Sequence, residues 1–172
     1  MNLAKDSSTT IDFQPMTVHL HWEQTTDLDI LAVYEDAEQC RKLVYFAESG
    51  SRVEYPFIEL LFDFEFSEIP KDHQEIIAIE SMEVEKIYFY AWDFDAVQEA
   101  EPTDFSEQGV FLEFRMKDTN ILSSAADLGK GNLAFLASIE KKGNQICIQN
   151  HSEMKEVSLP EQMEDLLKQL FE

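Results

Sequence analysis

Short runs of aromatic, aliphatic and β-branched residues, separated by polar residues, follow one another along most of the chain. The run 109–117 alternates apolar and polar residues, which is typical of a strand with one buried face. The run 86–92, KIYFYAW, is apolar throughout, as in a strand buried on both faces. Ten such runs are candidates for some eight or nine strands, and this many short strands with turn residues between them are typical of an all-β, two-sheet β-sandwich.

The predicted strands include two hairpins. Residues 42–47 and 52–55 flank the turn sequence Glu-Ser-Gly-Ser, and residues 132–140 and 144–149 flank Lys-Lys-Gly. The other predicted strands share the same composition of β-branched and aromatic residues, and they are 17–22, 28–34, 57–66, 75–80, 86–92 and 109–117.

The two ends of the chain differ from this pattern. Residues 1–15 are polar and end at Pro15, which predicts a mobile N-terminal arm before a single domain at residues 16–172. At the other end, Pro160 precedes a stripe of Met and Leu residues at helical spacing. A short C-terminal helix is therefore predicted at about residues 160–171.

Composition narrows the class of partner. The chain has 172 residues, 44% of them hydrophobic, and 35 Asp and Glu against 13 Lys and Arg give a net charge of −22. Such a charge disfavours nucleic acids and anionic membranes as direct partners and favours cations, basic proteins or simple solubility. Cys40 and Cys147 form no metal or redox motif, and the N-terminus lacks an apolar signal segment. We therefore expect a cytoplasmic protein.

Three pairs of acidic residues, each with one residue between its members, lie beside predicted strands. They are Asp27/Asp29, Asp63/Glu65 and Asp93/Asp95. Alternation along a strand places the members of each pair on one face, and calcium prefers such carboxylate oxygens. Exposure to solvent at a strand end explains the same pairs without an ion. Asp27 and Asp29 are the strongest candidates, because apolar residues follow them directly.

Other chemistry is less well supported by the sequence. His19 and His21 share a face and could hold a transition metal, but a polar sheet face explains them better. The nucleophile, phosphate-binding and metalloprotease motifs of common enzymes are absent from the sequence. We therefore expect a protein that is not an enzyme.

The order of these motifs resembles the TerD-type domain of bacterial tellurium-resistance and general stress proteins. That family opens with a V-x-L-x-W strand followed by a D-L-D strand, and this chain has Val18, Leu20 and Trp22 followed by Asp27, Leu28 and Asp29. The later features that are similar to the family, over residues 17–148 in all, are the strand 43–47 before a Ser-Gly-Ser turn, Glu75 with Ile77 and Ile79, the aromatic strand 87–92, Arg115 before Asp118, and the hairpin 133–148.

The resemblance implies a TerD-type β-sandwich that binds calcium, acts in a stress response and has protein partners. It places metal ligands at Asp27 and Asp29, and at Asp63 near the first acidic ligand of a calcium loop. The family's loop is rich in glycine and ends in D-D-E, whereas residues 57–75 here contain no glycine and end in His73-Gln74-Glu75. Fewer carboxylates and a less flexible loop predict weakened or lost calcium binding.

Three functions follow as hypotheses. The first is a calcium-responsive binding or scaffolding module. The second is an ion-independent module that binds other proteins. The third is an acidic decoy that mimics nucleic acid and sequesters a basic partner, which the charge of −22 alone suggests.

Overall fold

The structure is a computed structural model and describes residues 1–23, 27–61, 74–125 and 128–172; for Ser124 it describes the backbone only. Fifteen strands form within these residues. The first eight strands are β1 (Asn2–Leu3), β2 (Ser8–Asp12), β3 (Met16–His21), β4 (Leu28–Glu35), β5 (Arg41–Val44), β6 (Gly50–Ser51), β7 (Ile58–Leu61) and β8 (Gln74–Ile79). The remaining strands are β9 (Lys86–Asp93), β10 (Thr103–Asp104), β11 (Phe111–Arg115), β12 (Asn120–Ser124), β13 (Lys130–Gly131), β14 (Leu133–Lys142) and β15 (Gln145–Lys155). Helices α1 (Phe94–Glu99) and α2 (Met163–Phe171) and a 3₁₀ turn at Phe105–Gln108 complete the described elements.

The strands form two large sheets and one small one. The seven-stranded sheet has the order β1-β12-β11-β3-β8-β7-β6, and the six-stranded sheet has the order β2-β15-β14-β9-β4-β5. Strands β10 and β13 pair separately. Among the described strands, β1 and β12 pair in parallel and the other pairs are antiparallel. The predicted fold is confirmed at this level: the chain is mostly β, with several sheets and a short C-terminal helix.

The two large sheets pack through the inward-facing residues of their strands. Alternate residues of β3, β8 and β11 meet alternate residues of β4, β9, β14 and β15 in one continuous buried cluster. At its centre the rings of Phe89 and Phe114 contact each other edge to face, with centroids 5.9 Å apart. Burial of apolar surface in this cluster holds the sheets together, as in a β-sandwich.

Helix α2 covers the outer face of the six-stranded sheet. Leu166 and Leu170 of the helix pack with Leu31, Val33 and Trp92 of the sheet in a second buried cluster. The helix begins at Met163, three residues after the start that the sequence predicts at about Pro160. Its apolar stripe therefore covers a sheet face that would otherwise be exposed.

The predicted mobile arm at residues 1–15 differs from the structure, which has two strands there. β1 pairs with β12 of one sheet, and β2 pairs with β15 of the other. The side-chain amide of Asn150 donates a hydrogen bond to the Leu3 carbonyl oxygen at 2.9 Å, and Ile11 packs against the core. The sequence prediction considered the polar composition of this segment and overlooked its alternation at Thr9, Thr10 and Ile11.

The predicted hairpin of residues 42–47 with 52–55 is wrong, because residues 52–55 form bends and a turn, and the strand that follows β5 lies in the predicted turn and belongs to the other sheet. β5 is an edge of the six-stranded sheet, whereas β6 is an edge of the seven-stranded one. Gly50 has a φ of +74°, and a Cβ atom there would overlap the carbonyl oxygen of Ile58. The turn sequence therefore directs the chain from one sheet to the other.

The second predicted hairpin is confirmed as β14 and β15. The predicted strand at residues 57–66 is seen as β7, and its residues 62–66 lie outside the described residues. Strand β12 and helix α1 were not predicted.

We expect Phe114→Ala to lower the free energy of unfolding by about 3–5 kcal/mol, because it leaves a cavity between the two sheets. The matched control is Phe111→Ala on the same strand. Phe111 points to the outer face, is half-buried, and stacks on His21. Chemical denaturation of both variants would measure the two losses, and a loss as large for Phe111 as for Phe114 would contradict this account of the core.

Candidate functional site: an acidic corner

Two of the three predicted acidic pairs lie at the same corner of the fold. Because β4 and β9 are antiparallel, the start of β4 lies beside the end of β9: Leu28 pairs with Asp93, and Asp29 pairs with Trp92. Asp27 immediately precedes β4, and Asp95 follows β9 in the first turn of α1. The pairing register therefore brings Asp27/Asp29 and Asp93/Asp95 together.

Glu75, at the start of β8, joins this corner from the opposite sheet. Its carboxyl group accepts a hydrogen bond from the backbone N–H of Ile30 at 2.5 Å. It also shares a hydrogen bond with the Asp29 side chain, which requires a proton on one of these two carboxyl groups. β5 pairs only with residues 32–35 of β4, so among the described strands β4 has no partner on that side near Ile30. Glu75 therefore links the two sheets where the strand ladder ends. We call Asp27, Asp29, Glu75, Asp93 and Asp95 the acidic corner.

The electrostatics of the acidic corner centre on Asp29. Burial, the largest cause, acts together with the negative charges of Asp27, Asp95 and Asp93 to raise the pKa of Asp29 from its ordinary value of 3.8 to about 6, against a lowering by the Glu75 hydrogen bond. Asp27 and Asp95 are exposed. A half-buried carboxyl surrounded by like charges favours either a proton or a bound cation.

Asp93 has a structural role at this corner. It is buried, caps the N-terminus of α1 by accepting the Ala96 N–H at 3.0 Å, and accepts the Thr103 hydroxyl at 2.6 Å. Both carboxylate oxygens are thus engaged within the protein. A cation at the corner would therefore depend mainly on Asp27 and Asp29.

The corner fits calcium in donor chemistry and falls short of it in the number of donors. All of its side-chain donors are carboxylate oxygens, which calcium prefers. Within the part of the chain that the structure describes, however, no three His, Cys, Asp or Glu side chains form a group able to hold a metal ion. Asp63, the third predicted ligand, and its neighbour Glu65 lie outside the described residues.

His19 and His21 form a hydrogen-bonded polar face of the seven-stranded sheet. Both ring nitrogens of His19 have protein partners: Nε2 lies 2.8 Å from the Thr17 hydroxyl, and Nδ1 lies 3.1 Å from Oε1 of Gln74. Nε2 of His21 lies 3.1 Å from a carboxylate oxygen of Glu113. Burial lowers the pKa of both imidazoles. These contacts favour a polar sheet face over a transition-metal site.

The sequence prediction missed the position of Glu75 in the acidic corner. A usable signal existed, since Glu75, Ile77 and Ile79 alternate and the two isoleucines are core residues. The same alternation directs the Glu75 side chain inward, toward the other sheet. Which carboxylate of the other sheet it meets depends on how the sheets are placed, and local pattern does not contain that information.

We expect Asp29→Asn to stabilise the protein at about pH 7.5 and to have little effect near pH 4. The raised pKa means that folded Asp29 binds a proton more tightly than unfolded Asp29 does, so its stability contribution is present below about pH 4 and is lost as pH rises through 6. Asparagine is neutral at both pH values and removes this loss. The rise in melting temperature, on the order of 2–5 °C, would be measured in chelator-containing buffer.

The control is Asp27→Asn, which removes one charge at an exposed position and should produce a smaller rise. Equal melting temperatures for the wild type and Asp29→Asn across this pH range would contradict the raised pKa of Asp29.

No helix within the described residues is long and apolar enough to cross a membrane. The chain also has no significant match among protein-family models, curated proteins or solved structures. The resemblance to TerD-type domains therefore stays a prediction from the sequence motifs.

Proposed function

We propose that the chain is a non-enzymatic binding module of the TerD-like β-sandwich type, with a weak calcium site at the acidic corner. The observation that carries this proposal is the convergence of carboxylates from three strands and one helix start around the half-buried side chain of Asp29. Calcium would be held by Asp27 and Asp29, with water completing its coordination.

Coulomb's law explains why a cation is favoured here. Like charges a few ångströms apart near a protein surface repel by several kcal/mol, and the burial of Asp29 reduces solvent screening. A divalent cation offsets this repulsion. Because the corner supplies oxygen donors and no sulfur or imidazole, calcium fits it better than zinc does. Few protein ligands imply a dissociation constant of roughly 10⁻⁴–10⁻³ M.

The TerD-like motifs support the same proposal. The V-x-L-x-W motif coincides with β3 and the residue after it, and the D-L-D motif opens β4. In the family that the sequence resembles, these motifs accompany calcium binding and a role in bacterial stress responses. We infer that this chain acts as a scaffold whose contact with protein partners responds to calcium.

An ion-independent binding module is the second candidate, and the hydrogen bond between Asp29 and Glu75 favours it. A proton shared by these carboxyl groups would neutralise one charge without any metal. In that case the corner only ties the sheets together. Protein binding would then involve other surfaces, such as the exposed loop residues Phe46, Val53 and Tyr55.

A calcium titration followed by thermal unfolding distinguishes the two candidates. For the calcium module we expect about 10 mM Ca²⁺, near ten times the dissociation constant, to stabilise the folded state by roughly 1.4 kcal/mol. The melting temperature would then rise by about 3–6 °C at pH 7.5. Asp27→Asn combined with Asp29→Asn should abolish the rise.

The matched control combines Asp6→Asn with Asp118→Asn, which removes the same charge at two exposed positions outside the acidic corner. This variant should keep the full response to calcium. A wild-type melting temperature that is the same in calcium and in chelator would overturn the calcium proposal and leave the ion-independent module. Equal loss of response in both double variants would mean that calcium acts through net charge.

A further inference from the structure

Strand β2 leaves one edge of the six-stranded sheet open. β2 pairs with β15 on one side, and no strand of the described residues pairs with its other side. The Phe13 N–H donates to the Asn144 carbonyl oxygen at 3.5 Å. This hydrogen bond shows which residues direct their backbone groups toward β15 and which direct them away from it. Residues 9, 11 and 13 therefore direct their backbone groups toward β15, and Ser8, Thr10 and Asp12 direct theirs outward. These three residues are exposed.

The other described sheet edges are short or protected. β1 and β6 have two residues each, and β5 begins with Arg41 and Lys42 and contacts helix α2. Proteins use short edges, cationic side chains, proline and covering helices to prevent strand addition. β2 has five residues, Ser-Thr-Thr-Ile-Asp, and contains neither proline nor lysine; its one charged side chain, Asp12, lies at its end. It is therefore the edge best suited to accept another strand.

We propose that β2 pairs antiparallel with β2 of a second copy of this chain, so that two six-stranded sheets join into one. Centring the pair on Thr10 places Thr10 opposite Thr10 and Ser8 opposite Asp12. In this register every outward-directed residue meets an outward-directed residue, as a hydrogen-bonded ladder requires.

Charge and ladder length select this register over its neighbours. A shift by one residue would set outward backbone groups against inward ones. Centring on Thr9 or Ile11 keeps outward groups opposite outward groups but pairs only three of the five residues of β2. Centring on Asp12 would place two carboxylates directly opposite each other, which is destabilising. Centring on Ser8 moves Asp12 beyond the partner's β2. The Thr10 register avoids these costs, and it pairs Thr9 with Ile11 on the other face.

Apolar surface at this edge also favours a second copy. Ile11 and Phe13 pack against the core from β2 and its continuation and remain partly exposed. The paired strand of a second copy would cover part of them. Against this, two chains of charge −22 repel each other, and a five-residue strand buries less area than a standard stable interface does. The dimer is therefore weak and becomes tighter as salt screens the repulsion.

Sedimentation velocity at up to about 500 μM protein, in roughly 0.05 M and 0.5 M salt, tests the proposal. We expect a monomer–dimer equilibrium that strengthens at the higher salt concentration. A chain that stays monomeric under both conditions would overturn the proposal. Dimerisation that weakens with salt would also overturn it, because that result indicates attraction between opposite charges elsewhere on the surface.

Two lysine substitutions test the register. Ser8→Lys and Thr10→Lys change the net charge equally, at exposed side chains of the same strand face. In the proposed register the Ser8→Lys ammonium group would face Asp12 of the other copy, whereas the two Thr10→Lys ammonium groups would face each other. We therefore expect dimerisation to strengthen several-fold for Ser8→Lys and to weaken several-fold for Thr10→Lys.

Ser8→Asp introduces a negative charge at the same position. It should weaken the dimer, because the new carboxylate would face Asp12 of the other copy. Thermal unfolding of each variant checks that the monomer stays folded. If both lysine variants strengthen association equally, reduced net charge is the cause and the proposed pairing is wrong. A Ser8→Asp variant that dimerises like the wild type would also overturn it.

Discussion

The antiparallel pairing of β4 with β9 is the constraint on which the rest of the structure depends. Eight consecutive pairs join Leu28–Glu35 to Lys86–Asp93. β4 is covered on both faces, with Ile30 in the cluster between the sheets and Leu31 in the cluster beneath α2. A one-residue slip would exchange these faces and disrupt both clusters. The same register determines which carboxylates meet at the acidic corner.

The acidic corner carries an energetic cost that the core offsets. Asp29 is half-buried among like charges, and the indole N–H of Trp92, its partner in the register, is buried without an acceptor among the described residues. Glu75 offsets part of this cost, because its carboxyl group accepts a hydrogen bond from the Ile30 N–H across the two sheets. Local costs of this kind, in an otherwise consistent fold, are typical of functional positions. This pattern supports a role for the corner beyond stability.

The sequence predicted those parts of the fold in which one local pattern decides the structure. The alternation in β11 and the apolar run in β9 each indicate a strand, because the burial of side chains follows directly from the residue order. β2 was missed because its stability comes from pairing with β15, more than 130 residues away in the chain. The turn at Gly50 was misassigned because the same turn residues serve a hairpin and a passage between sheets.

The candidate site was predictable to a similar extent. Asp27 and Asp29 were identified from their position before an apolar strand, and Asp93 and Asp95 were recognised as a further pair. That the two pairs meet follows from the β4–β9 register, and that Glu75 joins them follows from the packing of the sheets. Neither the register nor the packing is encoded in the spacing of the acidic residues themselves.

The acidic corner and the open edge of β2 act independently under physiological conditions. In the six-stranded sheet β2 and β4 are separated by β15, β14 and β9, which places them about 19 Å apart at roughly 4.8 Å per strand. The Debye length at physiological ionic strength is about 8 Å. A cation at the corner therefore changes the potential at the β2 edge very little, and association through β2 depends on the bulk salt rather than on occupancy of the corner.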